Sequence, residues 1–395
     1  MNFKINESVT YVGKTDWEIR KFHGEELSTF KGSSYNSYLI RDEKTALIDT
    51  VWAPFASEFI EKLSNEIELE KIDYVIANHA EPDHSGSLQA LMERIPGKPV
   101  YCTQSGIKSL KGHYHKDWNF IPVKTGDKIS LGKKELIFIE AKMLHWPDSM
   151  FSYLTGDNIL FSNDAFGQHF ASESMFNDLV NQHDLFDEAI KYYANILTPF
   201  GNFVEKKINE ILALGLPVNM ICPSHGIIWR KNPLQIVEKY LQWSQNYSEN
   251  QLTIIYDTMW NGTRQMAETI AEGFKSKNKE TNIKIYNSAK SDINTIITDI
   301  FKSKAFLIGS PTVNKGILIS TAALMEFIRG LSFKNKKAAA FGSYGWSGES
   351  VKTITDELSK AGMDIMDEGI KTQWHPGKED LAGIYKYGEN LALKL

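Results

Sequence analysis

His79-Ala80-Glu81-Pro82-Asp83-His84 places two imidazoles and two carboxylates in one short segment. The apolar run Ile72 to Ala77 before it reads as a buried strand, and Ser85 to Arg94 after it as a helix starting at Ser85 or Gly86. The segment is therefore a strand-to-helix loop, where side chains can converge on one point. A loop that served only as surface would be an unusual use of four metal-type ligands.

Three segments further along supply more groups of the same kind. His145-Trp146-Pro147-Asp148 follows a run beginning at Leu136, Ser162-Asn163-Asp164 follows Ile159 to Phe161, and Ser224-His225-Gly226 follows Val218 to Ile221. Taken alone each is weak, since a histidine after a strand is more often packed or hydrogen-bonded. With the first segment they give seven candidate ligands: His79, Glu81, Asp83, His84, His145, Asp164 and His225. That is enough for two metals. A mixture of carboxylate and imidazole suits iron and recurs at diiron carboxylate centres. Zinc takes the same ligand types. The two cysteines, Cys102 and Cys222, cannot build a four-cysteine iron or zinc site, which argues against a rubredoxin module within these residues. Cys222, close before His225, reads as a buried apolar-type cysteine.

Near residue 250 the chain changes character. Before it, short strand-like runs such as Ser37 to Ile40 and Thr45 to Val51 alternate with loops rich in His, Asp and Gly. After it, strands are expected at Leu252 to Tyr256, Ile283 to Tyr286, Ala305 to Ile308 and Lys337 to Phe341, with a weaker one at Met363 to Met366. Helices are expected around Met266 to Phe274, Ala322 to Phe327 and Val351 to Leu358, and from Glu379. Five strands with intervening helices imply a parallel sheet covered on both faces, a doubly wound α/β domain whose ligands bind at the carboxyl ends of the strands. The 395 residues suit two domains, 1–250 and 251–395, joined after a helical stretch Leu234 to Tyr247 by Ser248-Glu249-Asn250.

Glycine-rich loops fall at those carboxyl ends. Thr258-Met259-Trp260-Asn261-Gly262-Thr263 lies between a strand and a helix, where backbone N–H groups and small hydroxyls favour a phosphate. No Gly-Lys-Ser/Thr follows, so a nucleoside triphosphate fits poorly. Ser310-Pro311-Thr312-Val313-Asn314-Lys315-Gly316 and Ser343-Tyr344-Gly345-Trp346-Ser347-Gly348 follow two further strands, and Trp346 or Tyr344 is placed to stack on a flat ring. Together the three loops suit FMN, with its phosphate, ribityl chain and isoalloxazine.

Composition narrows the function. Net charge is −5 with no basic stripe, which argues against nucleic acid as partner. No stretch is apolar enough to span a membrane, and the start Met1-Asn2-Phe3-Lys4 lacks a secretory signal, so a cytoplasmic protein is expected.

The order of these motifs resembles the flavodiiron branch of the metallo-β-lactamase superfamily. The likeness to the superfamily covers most of residues 1–250, and a likeness to flavodoxin covers about 251–395. Hydrolases of the superfamily carry His-x-His-x-Asp-His, and Glu81 replaces the second histidine here. In the flavodoxin part, Trp260 and Asn261 stand where short-chain flavodoxins usually have Thr and Gly. The resemblance implies an αββα sandwich followed by a doubly wound five-stranded parallel flavodoxin-like domain. It implies that His79, Glu81 and His145 hold the iron nearer the flavin, that Asp83, His84 and His225 hold the other, and that Asp164 bridges them. His23 would reach over the open coordination sites and Tyr192 would donate to bound oxygen species, with neighbouring Tyr193 as the other candidate.

The activity implied is reduction of dioxygen to water or of nitric oxide to nitrous oxide, in oxygen or nitrosative-stress detoxification, with dioxygen favoured. The resemblance also implies a head-to-tail homodimer or a dimer of dimers, fed by an external donor, a rubredoxin or a deazaflavin. Two other classes compete: a zinc hydrolase with a flavodoxin-like regulatory domain, and an electron carrier whose first domain is only a scaffold. Glu81 argues against the first and the seven ligands against the second.

Overall fold

The structure is a computed structural model and describes residues 2–395. Backbone contacts divide the chain into two units, Met1–Tyr193 with Phe200–Ser244, and Ala194–Pro199 with Gln245–Leu395.

The first unit is built on two sheets. The seven-stranded sheet runs, in spatial order, Phe3–Lys4, Val9–Tyr11, Tyr38–Arg41, Thr45–Ile48, Tyr74–Ile76, Val100–Thr103 and Phe120–Val123. Its first pairs are antiparallel, and from Thr45–Ile48 onward the strands run parallel. The five-stranded sheet runs Lys128–Ser130, Glu135–Glu140, Met150–Leu154, Ile159–Asn163 and Met220–Pro223, antiparallel except for the last pair. One core joins them: Val9, Tyr38, Ile40 and Ile48 of the first sheet cluster with Leu136, Phe138, Leu154 and Phe161 of the second. Both inner faces are thus buried, as a sandwich requires. The helix Gln104–Tyr114 packs on the first sheet, and residues of the helices Gly201–Ala213 and Leu234–Ser244 meet Leu160 and Ile221 of the second. The αββα layering expected from the resemblance is the one observed.

The second unit holds an all-parallel sheet ordered Asn282–Asn287, Glu249–Tyr256, Ser303–Gly309, Lys337–Tyr344, with Asp364–Ile365 and Ile370–Gln373 both pairing with the last. The expected weak fifth strand is therefore two short pieces at one position of the sheet. Two local expectations are corrected. Ser248-Glu249-Asn250 is not a free linker, because the strand begins at Glu249. A helix over Ile293–Lys302 joins the set; Asp292 caps it, accepting from the Thr295 N–H at 2.9 Å, and Ile296, Ile297, Ile300 and Phe301 are buried. Its Ile- and Thr-rich sequence hides a helix behind strand-type residues. Among the described residues no helix is long and apolar enough to cross a membrane.

Candidate metal and flavin sites

The decisive loop is more ordered than a simple connection. Pro82 opens a short helix, Pro82–Ser85, that already carries Asp83 and His84; the longer helix starts only at Leu88. The expected start at Ser85 or Gly86 is thus corrected. The chain turns between the two helices because the Ser87 N–H is drawn to the Val51 carbonyl at 2.8 Å. Gly86 makes this possible: a Cβ there would lie 2.4 Å from the Pro82 carbonyl oxygen and 2.5 Å from the Ala53 nitrogen.

From these loops, seven ligand atoms form two groups. His79, Glu81, His145 and Asp164 make one; Asp83, His84 and His225 make the other. Asp164 spans them. Its Oδ2 lies 3.5 Å from the Nε2 of both His79 and His145, and its Oδ1 lies 3.0 Å from His84 Nε2 and 3.4 Å from His225 Nε2. Glu81 Oε2 sits 3.2 Å from His79 Nε2 and 3.3 Å from His145 Nε2, while Asp83 Oδ2 sits 3.1 Å from His84 Nε2 and 3.0 Å from His225 Nε2.

This arrangement fits metal ions. Both Asp83 carboxylate oxygens, His84 Nε2 and Asp164 Oδ2 are buried without a hydrogen-bond partner. Buried ligand atoms left without hydrogen bonds are costly unless a cation meets them. Burial opposes ionisation throughout, yet opposite charges prevail: the imidazoles hold Glu81 and Asp164 far below the usual carboxylate range and Asp83 below it. Conversely, burial pushes His84 and His145 down, but the facing carboxylates raise each to about 9.

The sequence did not reveal the groups that aim these ligands. Asp148 lies beside His145 in the chain but serves His79, accepting from its Nδ1 at 2.9 Å and from the Ala80 N–H at 2.7 Å. That bond fixes the tautomer and leaves His79 Nε2 free for a metal. The Ser34 carbonyl does the same for His225, at 2.7 Å from Nδ1. Asp49 anchors the loop before His79 by accepting from the Asn78 N–H at 2.7 Å. A further histidine, His169, packs its ring 5.0 Å from that of His225 and is hydrogen-bonded to Ser33 Oγ at 2.7 Å.

His23 and Tyr192 both adjoin the cage. His23 follows the strand Lys21–Phe22, and its Nε2 lies 3.2 Å from Glu81 Oε1. Burial lowers its proton affinity, but the Glu81 and Asp83 carboxylates raise it further, for a net upward shift. It lines a cleft of about 240 Å³ with Phe22, Tyr35, Trp52, Glu81 and Asp83, open toward the ligands. Tyr192 is buried with its ring 5.2 Å from His169 and 6.4 Å from His225. Tyr193 turns away, onto Tyr240 and Trp243.

The three loops of the second unit meet at the carboxyl edge of its sheet. Asn261 takes the left-handed conformation, φ 67°, as N-cap of the helix Gly262–Lys277, and its side chain does not cap the helix, which leaves the first N–H groups for another acceptor. Thr263 Oγ1 pairs with Ser343 Oγ at 3.0 Å, tying the first loop to the third. The Thr312 N–H donates to the Ser343 carbonyl at 2.9 Å, tying the second to the third. Gly342 permits that approach, since a Cβ there would lie 2.2 Å from the Ser310 carbonyl oxygen. The hydroxyls of Ser310 and Thr312 are engaged inside the loops, with the Leu318 N–H at 3.0 Å and Ser350 Oγ at 3.1 Å. Asn314 and Lys315, at φ 49° and 62°, form a tight turn closed by Val313 and Gly316. Met259, Trp260 and Trp346 are exposed. A helix N-terminus for an anion beside bare aromatic surface for a ring fits FMN.

Fold and site together define a redox protein with a two-metal cage on a β-lactamase-type sandwich and a flavodoxin domain. Comparison with known proteins agrees. A family described as "ODP family beta lactamase" matches residues 34–226, and Flavodoxin matches residues 254–388. The chain is 51% identical over 394 residues to an anaerobic nitric oxide reductase flavorubredoxin of Escherichia coli O1:K1 / APEC, covering 99% of this chain and 82% of the relative. Among solved structures it is similar to rubredoxin oxygen:oxidoreductase from Desulfovibrio gigas, with TM-score 0.96 and 36% identity, covering 100% of this chain and 98% of that one. It is also similar to the flavodiiron protein of Giardia intestinalis, with TM-score 0.95 and 34% identity, covering 100% and 96%. The chain belongs to the flavodiiron protein family, oxidoreductases whose cofactors are FMN and a non-haem diiron centre.

Proposed function

We propose that the chain is a gas reductase that acts on nitric oxide in preference to dioxygen, with the first unit as the diiron domain and the second as the FMN domain. One observation carries the reading: the two Asp164 oxygens face two separate ligand groups, the geometry a bridged metal pair needs. The similarity at 51% identity to a nitric oxide reductase, against 36% to an oxygen reductase, favours nitric oxide over the dioxygen expected from sequence.

In this reading His79, Glu81 and His145 would hold one iron and Asp83, His84 and His225 the other, with Asp164 available to both. When bound, an iron pair and FMN would supply the electrons for gas reduction. The chain's own residues set the conditions. Asp148 and the Ser34 carbonyl orient His79 and His225 so that each presents Nε2 inward. The cleft lined by His23, Phe22, Tyr35 and Trp52 gives a diatomic molecule a route to Glu81 and Asp83. His23, whose Nε2 lies beside Glu81 Oε1, and Tyr192, whose ring stands behind His225, are the proposed proton donors to the cage. In the second unit, loop residues 258–263 hold the FMN phosphate, and 310–316 with 343–348 hold the ring. A rubredoxin is the proposed donor; the two cysteines of these residues are free, buried and too few to build such a module from them. A cytoplasmic head-to-tail homodimer, which brings FMN of one copy to the irons of another, completes the proposal.

The test is stopped-flow reoxidation of the reduced, iron-loaded protein by each gas. Faster oxidation by nitric oxide is expected. Oxidation by neither gas, or by dioxygen alone, would overturn the assignment.

A further inference from the structure

We propose that Trp374, in the turn after the strand Ile370–Gln373, is a fourth wall of the FMN cradle, locking the phosphate loop to the third loop and presenting its indole to the cofactor. The inference rests on the FMN reading above. Trp374 lies outside the three glycine-rich loops, and nothing in the sequence motifs points to it. Topology brings it there. Ile370–Gln373 runs parallel to Lys337–Tyr344 with Gln373 opposite Tyr344, so the next residue emerges at the carboxyl edge where the loops gather.

Three contacts then define its position. The Trp374 N–H donates to the Tyr344 carbonyl at 2.6 Å. The indole lies against Gly345, where a Cβ would sit 3.0 Å from the ring. The Trp374 carbonyl borders the other end of the site: a Cβ on Gly262, the first residue of the phosphate-side helix, would lie 3.4 Å from it and 3.4 Å from Ser343 Oγ. One residue thus borders the loop assigned to the phosphate and is bonded to the loop assigned to the ring.

Its conformation is not that of a core residue. Trp374 is held at φ 60°, in the left-handed region that bulky side chains avoid, so its surroundings impose the pose. Yet 63% of the residue is exposed. A tryptophan fixed through its backbone but bare on its ring is built to meet something, and Trp260 and Trp346 on the flanking loops are barer still. An indole suits FMN because its body contributes apolar area against a flat ring while its N–H remains available to a polar tail.

The test uses the full chain, stripped of flavin and titrated with FMN by flavin fluorescence, for wild type, W374F, W374L and W374A. A rise in Kd of about tenfold is expected for W374A and of at most about threefold for W374F, with W374L between them. Iron content should stay at the wild-type level, and the flavin midpoint potential should shift in W374A. Thermal melts identify any variant that fails to fold, in which case the order of W374F and W374L decides. Equal Kd and potential across the folded series would overturn the role of Trp374 alone. Loss of self-association at unchanged Kd would overturn it too, and assign the indole to contact with a second copy. Failure of the wild-type chain to take up FMN would instead overturn the cofactor reading.

Discussion

The metal cage and the flavin cradle are made of different materials. In the first unit three carboxylates and four imidazoles converge from loops and one short helix, five of them buried and Glu81 and His145 partly so, and several ligand atoms have no hydrogen-bond partner. In the second unit the loop hydroxyls bond one another, and the surface left for a ligand is backbone N–H and bare aromatic ring. The cage is a set of mutually dependent charges, whereas the cradle is built mainly of hydroxyls, backbone and aromatic rings. Substitutions in the cage should therefore act strongly and together, and those in the cradle weakly and one at a time.

The largest effect is expected at the residue that joins the two ligand groups. Asp164→Ala should abolish gas reduction and lower iron content while FMN stays bound. Removing one partner of a buried charged set costs about 3–5 kcal/mol, so the metal-free variant should also melt earlier. Iron analysis, flavin absorbance and gas consumption on one preparation check this; full activity in the variant would remove the bridging role.

Next in size is Asp148→Ala, which leaves every ligand in place but frees His79 Nδ1. Metal affinity should fall roughly 10–100-fold with FMN binding unchanged. A chelator competition titration measures it, and wild-type affinity would mean that Asp148 does not aim His79.

Proton competition sharpens the contrast further. In the folded metal-free protein His84 and His145 keep protons to about 9, against an ordinary value of 6.5. A raised pKa contributes stability that is fully present below pH 6.5 and is lost as pH rises through about 9. Chelator-treated protein should lose melting temperature across that window. Iron-loaded protein should not, because the metals replace those protons. Parallel melting curves against pH would show whether the two forms diverge.

The cradle should respond more mildly. Trp346→Ala should weaken FMN binding by about 0.5–1.5 kcal/mol without changing iron content, read from flavin titration. Smallest of all, Tyr192→Phe should slow gas reduction by less than about tenfold. Tyr193→Phe, at a ring that packs on Tyr240 and Trp243, should change stability alone, by about 1 kcal/mol. A slower reaction in the second variant rather than the first would reverse their roles.

The same difference in materials explains what could be read from the chain. The ligands His79, Glu81, Asp83 and His84 were legible because metal chemistry demands particular side chains, and four stand in one short segment. The sheet of the second unit was legible because Leu252 to Tyr256, Ala305 to Ile308 and Lys337 to Phe341 are apolar runs suited to strands buried on both faces. Asp148 was visible as a residue but not as a partner of His79, since only the fold brings it across to that ring. His169 stands alone in sequence, and nothing near it signals that it packs on His225. Trp374 was hidden because the fifth strand position is split, so no strong run announces that a loop returns to the flavin edge. Backbone-built sites leave little trace in residue identity, and charge-built sites leave much.

Metal analysis of freshly purified chain, with flavin counted on the same sample, bears most directly on the shared role of the seven ligands. Two irons and one FMN per chain are expected. A fully metallated, colourless protein containing only zinc would contradict the account.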